Sequence, residues 1–298
     1  VNSRALPPAA IAVLVVCSAA VWQPTVQPRA VGSIATAQWP YLPGSRIAIQ
    51  VDGFAGPYLL RVLGPGRLND RGTYEVPDAA NGAAATLVAG NAAGIASANV
   101  KVVPPPPPAR DELAVASYDD GVVLHRARGF AVDGVLGIGG APGDVAASGN
   151  RLIAIDTQGD RATTVSRGPW NVSGVGGVPL GDQVALDATG NAYVTNRELS
   201  GRGGLTRISR DGSLASVVTG ATAEGIAIDS KRGLVYVANA NDGTVAVVDL
   251  RSMRVLRRFH AVDRVFSLAL DARGARLFAV SNQSTDPPFS AAGSVVAF

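Results

Sequence analysis

The sequence predicts an all-β protein: a β-propeller of about five blades whose ring is incomplete, preceded by a small β-sandwich. Three observations carry this expectation. First, residues 233–259, GLVYVANANDGTVAVVDLRSMRVLRRF, hold three short β-rich runs, with the Asp-Gly pair of Ala240–Gly243 between the first two. With the apolar run Gly225–Asp229 upstream they make four successive strands, the innermost expected to be the most apolar, as in one propeller blade. Second, strand ends recur in phase at Ser117, Asp156, Asn196, Asn239 and Asn282, at intervals of 39, 40, 43 and 43 residues, which is a blade-sized period. Third, 35 Gly and 19 Pro in 298 residues suit many turns between short strands better than long helices.

The elements follow in order from the N-terminus. Arg4 precedes the apolar run Ala9–Trp22, which has the length of a signal-peptide core and is short for a spanning helix. Residues 1–37 are therefore expected to be a signal peptide cleaved after Ala20, or an uncleaved anchor, plus a spacer. Val16 before Cys17 argues against lipidation of the only cysteine, and a chain cleaved there would hold no thiol.

Residues 38–103 carry five short runs: Ser45–Val51, Tyr58–Gly64, Gly72–Pro77, Ala84–Gly90 and Ser97–Val103. The last two, joined by NAAGIA, resemble the closing hairpin of a bacterial immunoglobulin-like domain, which implies a small β-sandwich. Residues 104–110 are a linker, because the five prolines 104–108 form a stiff rod and remove five amide donors from any sheet.

The propeller is expected over residues 111–298. Glu112–Ser117, Val122–Ala127 and Ala131–Ile138 supply the second, third and outer strands of a first blade. Whole blades follow at 143–175, 181–219 and 223–261. The last unit has Phe266–Leu270, Arg276–Val280 and Ser294–Phe298 and lacks an outer strand. Since the first blade lacks an inner strand and the two gaps do not complement each other, a longer parent chain is expected, by about 50–100 residues for one or two further blades.

The words LIAID, AYVTN, VYVAN and LFAVSN repeat at the second strand of successive blades. AYVTN and GLVYVANANDGTVAVVDLRSMRV resemble the YVTN-type repeat propellers, over about residues 112–298. That resemblance implies the fold and leaves the activity open.

The chemistry is sparse. The net charge of +3 is small, and the densest basic cluster, Arg251–Arg258, has no interleaved aromatics, which speaks against nucleic acid. The two histidines, His125 and His260, fall on third or outer strands. No Gly-rich loop joins a strand to a helix, and Gly137–Gly143 reads as a turn between blades. Asp156–Asp160 is too short for a calcium loop and reads as a hairpin turn.

Aligning Val184–Asp187 with Ile226–Asp229 places Asp182 and Glu224 at equivalent positions just before the innermost strand, with Asp144 near the same spot one blade earlier and Phe266 one blade later. These acids are the binding candidates on the channel rim. Carboxylates converging on an axis suit Ca²⁺ or Mg²⁺, and propeller lactonases of the gluconolactonase type are similar in using channel acids. Repeated Asn196, Asn239 and Asn282 read as structural, through left-handed backbone and bonds to their own turns. Asp187, Asp229 and Asp271, each closing an inner strand, read the same way.

The function expected is non-catalytic: an exported scaffold, periplasmic, cell-surface or secreted, that binds a protein, glycan or surface polymer through its propeller faces. No cofactor is expected, and membrane contact only through an uncleaved N-terminal segment. The alternative is a metal-dependent hydrolase or lactonase with Asp182 and Glu224 as ligands to Ca²⁺ or Mg²⁺ and Asp144 beside them. A weaker third reading is a subunit scaffold for a periplasmic redox enzyme.

Overall fold

The computed structural model describes residues 32–35, 39–78, 82–107, 112–118, 121–126, 131–271, 273, 276–281 and 294–298. The expected signal peptide or anchor, with Cys17, and Asn282 lie outside the described residues. The chain divides into two compact units, Val1–Pro107 with Ala131–Gly139, and Pro108–Phe130 with Gly140–Phe298.

The first unit contains β1 (Ser33–Ala35), β2 (Pro40–Tyr41), β3 (Arg46–Ala48), β4 (Gln50–Asp52), β5 (Leu59–Leu63), β6 (Arg67–Leu68), β7 (Thr73–Glu75), β8 (Ala84–Asn91) and β9 (Gly94–Val102). All five apolar runs of the sequence are thus strands. The hairpin β8–β9 turns at Asn91, whose side-chain oxygen accepts the Ala93 amide at 2.9 Å, and it extends through β5. The short β2 pairs in parallel with β9. Residues 104–107 carry no strand, as their missing donors require.

The second unit begins with the hairpin of β10 (Glu112–Ser117) and β11 (Gly121–Arg126). Next in the chain, β12 (Val132–Leu136) belongs to the first unit, where Val135 pairs in parallel with Tyr41. Ser45, fully buried there, donates its hydroxyl to the Leu42 carbonyl at 2.6 Å and accepts the Gly137 amide at 3.2 Å. Gly137 is more than a turn residue, since a Cβ on it would lie 2.6 Å from the Arg46 carbonyl oxygen.

Three antiparallel sheets of four strands follow, each running inner strand to outer strand in chain order. They are β13 (Pro142–Ser148), β14 (Arg151–Asp156), β15 (Arg161–Arg167) and β16 (Trp170–Gly176); then β17 (Gly181–Leu186), β18 (Ala192–Leu199), β19 (Arg202–Ile208) and β20 (Leu214–Gly220); then β21 (Ala223–Asp229), β22 (Leu234–Asn239), β23 (Thr244–Asp249) and β24 (Val255–His260). A last sheet has β25 (Val265–Leu270), β26 (Leu277–Ser281) and β27 (Ser294–Ala297). The inner strands β13, β17, β21 and β25 neighbour one another in succession. These sheets are propeller blades, and the chain is all-β. No helix among the described residues is long and apolar enough to cross a membrane.

The expectation of a most apolar innermost strand holds for β21, which is buried along most of its length like β22 and β23 beside it, whereas the inner strands β17 and β25 are only partly buried. The cause is the packing of blade on blade. One cluster joins Tyr193 and Leu205 to Ile226, Val235, Val237 and Val248 of the next blade. A second joins Ile153 and Ile155 to Val184, Val194 and Ile208, and a third joins Ala238 and Val245 to Val265, Leu268 and Leu277. Each fully buried Val, Leu or Ile contributes about 1.5–3 kcal/mol, so these inter-blade layers hold the unit together.

The turn predicted at Ala240–Gly243 is one turn of 3-10 helix ended by Gly243 at φ 65°, a left-handed conformation that glycine adopts without steric cost.

Candidate functional site

The rim acids sit on a repeated irregularity. Every inner strand shifts register against its second strand near its start: between Pro142 and Asp144, Gly181 and Val184, Ala223 and Ile226, and Val265 and Ser267. Such β-bulges re-aim side chains and leave a ladder amide unpaired. The partners of the first residues are Asp156, Asn196, Asn239 and Ser281, which fixes the alignment of the blades.

That alignment places Gly143, Asp182, Glu224 and Phe266 at one position and Asp144, Gln183, Gly225 and Ser267 at the next. Asp182 and Glu224 are equivalent, as the sequence predicts, and Phe266 takes the same position. Asp144 is displaced by one residue, and glycine stands at its expected place.

The displacement gives Asp144 a different task. One of its carboxylate oxygens accepts the Val145 amide, and the other accepts the Val184 amide in the bulge of the next blade, both at 2.8 Å. One blade on, the Gln183 side-chain oxygen accepts the Ile226 amide at 3.3 Å. At these two junctions an amide of the bulge is thus satisfied by a side chain of the preceding blade. At the third junction the side chain is absent, and the backbone around Ser267 approaches Gly225 directly.

The entrance to these strands is strained in a repeated way. Leu180, Thr222 and Arg264, each preceding the first residue of an inner strand, have φ of 43°, 56° and 54°. Left-handed backbone is unfavourable for such side chains, above all β-branched Thr222. It is held by hydrogen bonds from the residues that follow Asn196 and Asn239, the first inside β18 and the second at the end of β22: Arg197 N–H to the Leu180 carbonyl and Ala240 N–H to that of Thr222, at 3.0 and 2.9 Å.

The Asn residues are structural, but by another route than their own left-handed backbone. Asn239 has φ −106°, an extended conformation. Asn196 and Asn239 are fully buried. Asn196 donates to the Pro179 carbonyl at 2.8 Å and accepts the Thr206 hydroxyl at 2.7 Å. Ser281 has the equivalent place in the last sheet and donates to the Asp263 carbonyl. Asp187 accepts from the Thr189 and Asn191 amides, both at 2.9 Å, and Asp229 from those of Lys231 and Arg232 at 3.1 and 3.0 Å. Asp271 accepts the Arg276 amide at 3.3 Å.

On the bulge face a cleft of about 720 Å³ opens, lined by Tyr118, Thr157, Gln158, Asp182, Gln183 and Arg197 together with Gly143 and Asp144. Arg197 approaches Asp182 with Nε 3.4 Å from Oδ1 and donates to the Thr157 carbonyl of the previous blade at 3.2 Å. The Gln158 amide donates to the Tyr118 hydroxyl.

Burial pushes the Asp182 carboxyl above its ordinary range; Arg197 opposes this and Asp144 adds to it. Glu224 is raised by burial and then by Asp182, with Arg197 and Arg264 opposing. Asp144 is raised by burial against the two amides it accepts. Among the described residues, no three Asp, Glu, His or Cys side chains converge closely enough to hold a metal ion. His260 lies on the outer strand β24, with Nε2 3.7 Å from Asp263. His125 lies on β11.

The raised carboxyl of Glu224 makes a prediction. A carboxyl whose folded pKa is elevated opposes folding when ionised. Glu224→Gln is expected to be more stable than the wild type at neutral pH. Between the raised value and the ordinary 4.5 the folded wild type takes up its proton first, so the difference shrinks as pH falls and is gone below 4.5. Thermal melts of both proteins across this range check it; a variant less stable at neutral pH would show that Arg197 and Arg264 outweigh the burial.

Arg197 escaped the sequence reading. Its signal is positional: it directly follows the repeated strand-end residue, where the other blades have Thr157 and Ala240. A variable residue beside a constant one in a repeat marks a place where the scaffold leaves side chains free to differ.

No protein-family model matches the chain, and no curated protein matches it. Solved structures do. Hydrazine synthase of Kuenenia stuttgartiensis is similar at 19% identity over 49% of this chain and 43% of that one, with a TM-score of 0.45. The β-propeller domain of Cps50 (Swd1) from Myceliophteria thermophila is similar at 14% identity over 57% of this chain and 58% of that one, with a TM-score of 0.46. A quinonprotein alcohol dehydrogenase-like protein of Bacteroides thetaiotaomicron is similar at 10% identity over 91% and 94% of the two chains, with a TM-score of 0.44. The chain spans less than two thirds of the length of the first two.

Proposed function

We propose that this protein is a non-catalytic binding scaffold whose ligand face is the bulge face of the propeller. The observation that carries the reading is the open polar cleft, in which the side chains that would have to be reactive are already engaged. Asp144 accepts two amides, and Asp182 faces Arg197. A nucleophile would need a base within hydrogen-bond reach, and among the described residues of the cleft lining there is no histidine. The repeat words support a YVTN-type propeller, and the paired β8 and β9 support an immunoglobulin-like spacer before it. Arg4 and the run Ala9–Trp22 support export to the periplasm, cell surface or medium. The partners proposed are a protein, glycan or surface polymer.

The second reading, a Ca²⁺- or Mg²⁺-dependent hydrolase or lactonase, has one observation in its favour: Asp182 lies close enough to Glu224 to raise its carboxyl. A cation held there would take these two carboxylates and complete its shell with backbone or water oxygens, and its chemistry would be to polarise a carbonyl and activate water. Calorimetric titration of the full chain with Ca²⁺ and Mg²⁺, beside an Asp182→Ala/Glu224→Ala variant, separates the two. The scaffold reading expects no specific heat of binding. A specific heat abolished in the variant would overturn it in favour of the hydrolase.

A further inference from the structure

The cleft's chemistry narrows the class of ligand. Tyr118, Thr157, Gln158, Asp182, Gln183 and Arg197 include no aliphatic side chain, so an apolar ligand would gain little by entering. Its volume of about 720 Å³ is within the range of about 300–1,000 Å³ for small-molecule clefts, and it is open, so a segment of a longer chain can lie in it with its ends outside.

Charge excludes two further classes. Among the described residues of the lining, an anionic polymer would meet Asp144 and Asp182 against a single guanidinium, that of Arg197, which already faces a carboxylate. A basic peptide would have to displace Arg197, which holds Asp182 at 3.4 Å and the Thr157 carbonyl at 3.2 Å across two blades. A neutral ligand disturbs neither.

What remains on offer is a set of planar hydrogen-bonding groups: a carboxylate beside a guanidinium, and the side-chain amides of Gln158 and Gln183. One Gln183 oxygen is held by the Ile226 amide, which orients its NH₂ end. Planar groups of this kind match pairs of adjacent hydroxyls, accepting from one and donating to the other. Tyr118 is 53% exposed, with its hydroxyl on the Gln158 amide, so its ring offers an open face to the cleft. An aromatic face of this sort packs against the C–H face of a sugar ring while its polar tip keeps a hydrogen bond.

We propose that the cleft between β10 and β18, with Tyr118 as platform and Gln158, Asp182, Gln183 and Arg197 as hydroxyl partners, binds a neutral glycan chain. This rests on the binding-scaffold reading and names its ligand class.

The test uses the full chain against an array of neutral hexasaccharides (gluco-, manno-, xylo- and chito-oligomers), uronate and sulfated oligosaccharides, and peptides. At least one neutral glycan is expected to bind, with affinity insensitive to salt because no counterions are released. Tyr118→Ala and Gln158→Ala are each expected to weaken it about tenfold or more, the loss of one stacked or doubly bonded contact. Leu256→Ala, on the outer strand β24, is expected to leave it unchanged, and thermal melts establish that all three variants are folded. If only peptides or anionic glycans bind, and Tyr118→Ala weakens them, the glycan assignment is overturned while the scaffold reading stands. If whatever binds is indifferent to both cleft variants, or nothing on the array binds, the cleft assignment falls; in the first case the ligand face lies elsewhere on the scaffold.

Discussion

Asn239→Leu is expected to destabilise the protein by about 3 kcal/mol, because the branched side chain keeps its number of heavy atoms but loses its hydrogen bonds and gains volume in a buried place. Asn239 is fully buried at the end of β22. Its amide donates to the Thr219 carbonyl at 3.3 Å and the Thr244 hydroxyl at 3.1 Å, and its oxygen accepts the Thr219 hydroxyl at 2.9 Å. Leucine would leave the buried Thr219 hydroxyl without its acceptor, while the Thr219 carbonyl keeps Arg258, and an unsatisfied buried polar group costs about 1–3 kcal/mol. It would also detach the third blade's outer strand from the entrance of the fourth, since Thr219 lies on β20 and Asn239 on β22. The control is Leu256→Ala on the exposed face of β24, expected within about 0.5 kcal/mol of the wild type. Urea unfolding of both decides. A loss below about 1 kcal/mol for Asn239→Leu would mean that the threonines re-pair, and that the Asn repeat is not what ties blade to blade.

Gly225→Val is expected to cost about 3 kcal/mol, with Gly225→Ala smaller and of the same sign. A Cβ at this position would lie 2.8 Å from the Ser267 Cα, 2.9 Å from the Phe266 carbonyl oxygen and 3.1 Å from the Ala238 Cβ. Two of these are backbone atoms of the next blade's bulge, so no rotamer change relieves the contact, and β21 and β25 must separate. The separation reaches the buried layer of Ala238, Val245, Val265 and Leu268. Urea unfolding gives the loss, and limited proteolysis should place new cleavages in the last sheet before global unfolding. A stable Gly225→Val protein would show that neighbouring inner strands can slide apart at no cost, and the bulge junctions would then not be the elements that fix blade spacing.

Both variants act at the place where sequence and structure diverge. The blade period, the strand runs from 143 to 261 and the turn at Ala240–Gly243 are legible in the sequence. They follow from local rules: apolar runs bounded by Gly, Asp and Asn, repeated at a fixed interval. The equivalence of Asp182 and Glu224 is legible for the same reason, since it needs only the repeat.

What one residue at the bulge does is not legible. Asp144 and Gln183 align only when the register shift is seen, and their acceptors point at amides 40 and 43 residues away. Nothing local marks those amides as unpaired. Arg197 is a like case, because its contacts to Asp182 and to the Thr157 carbonyl exist only once two blades are set side by side.

The sequence by itself therefore determined the all-β class, the blades and their order, because turn chemistry and side-chain alternation act between near neighbours. Only the tertiary structure decided which acids are held by backbone amides, which face a guanidinium, and which polar side chains together line a cleft. Those facts depend on contacts between blades, and a contact between residues some forty positions apart leaves its mark in space and not in the local pattern.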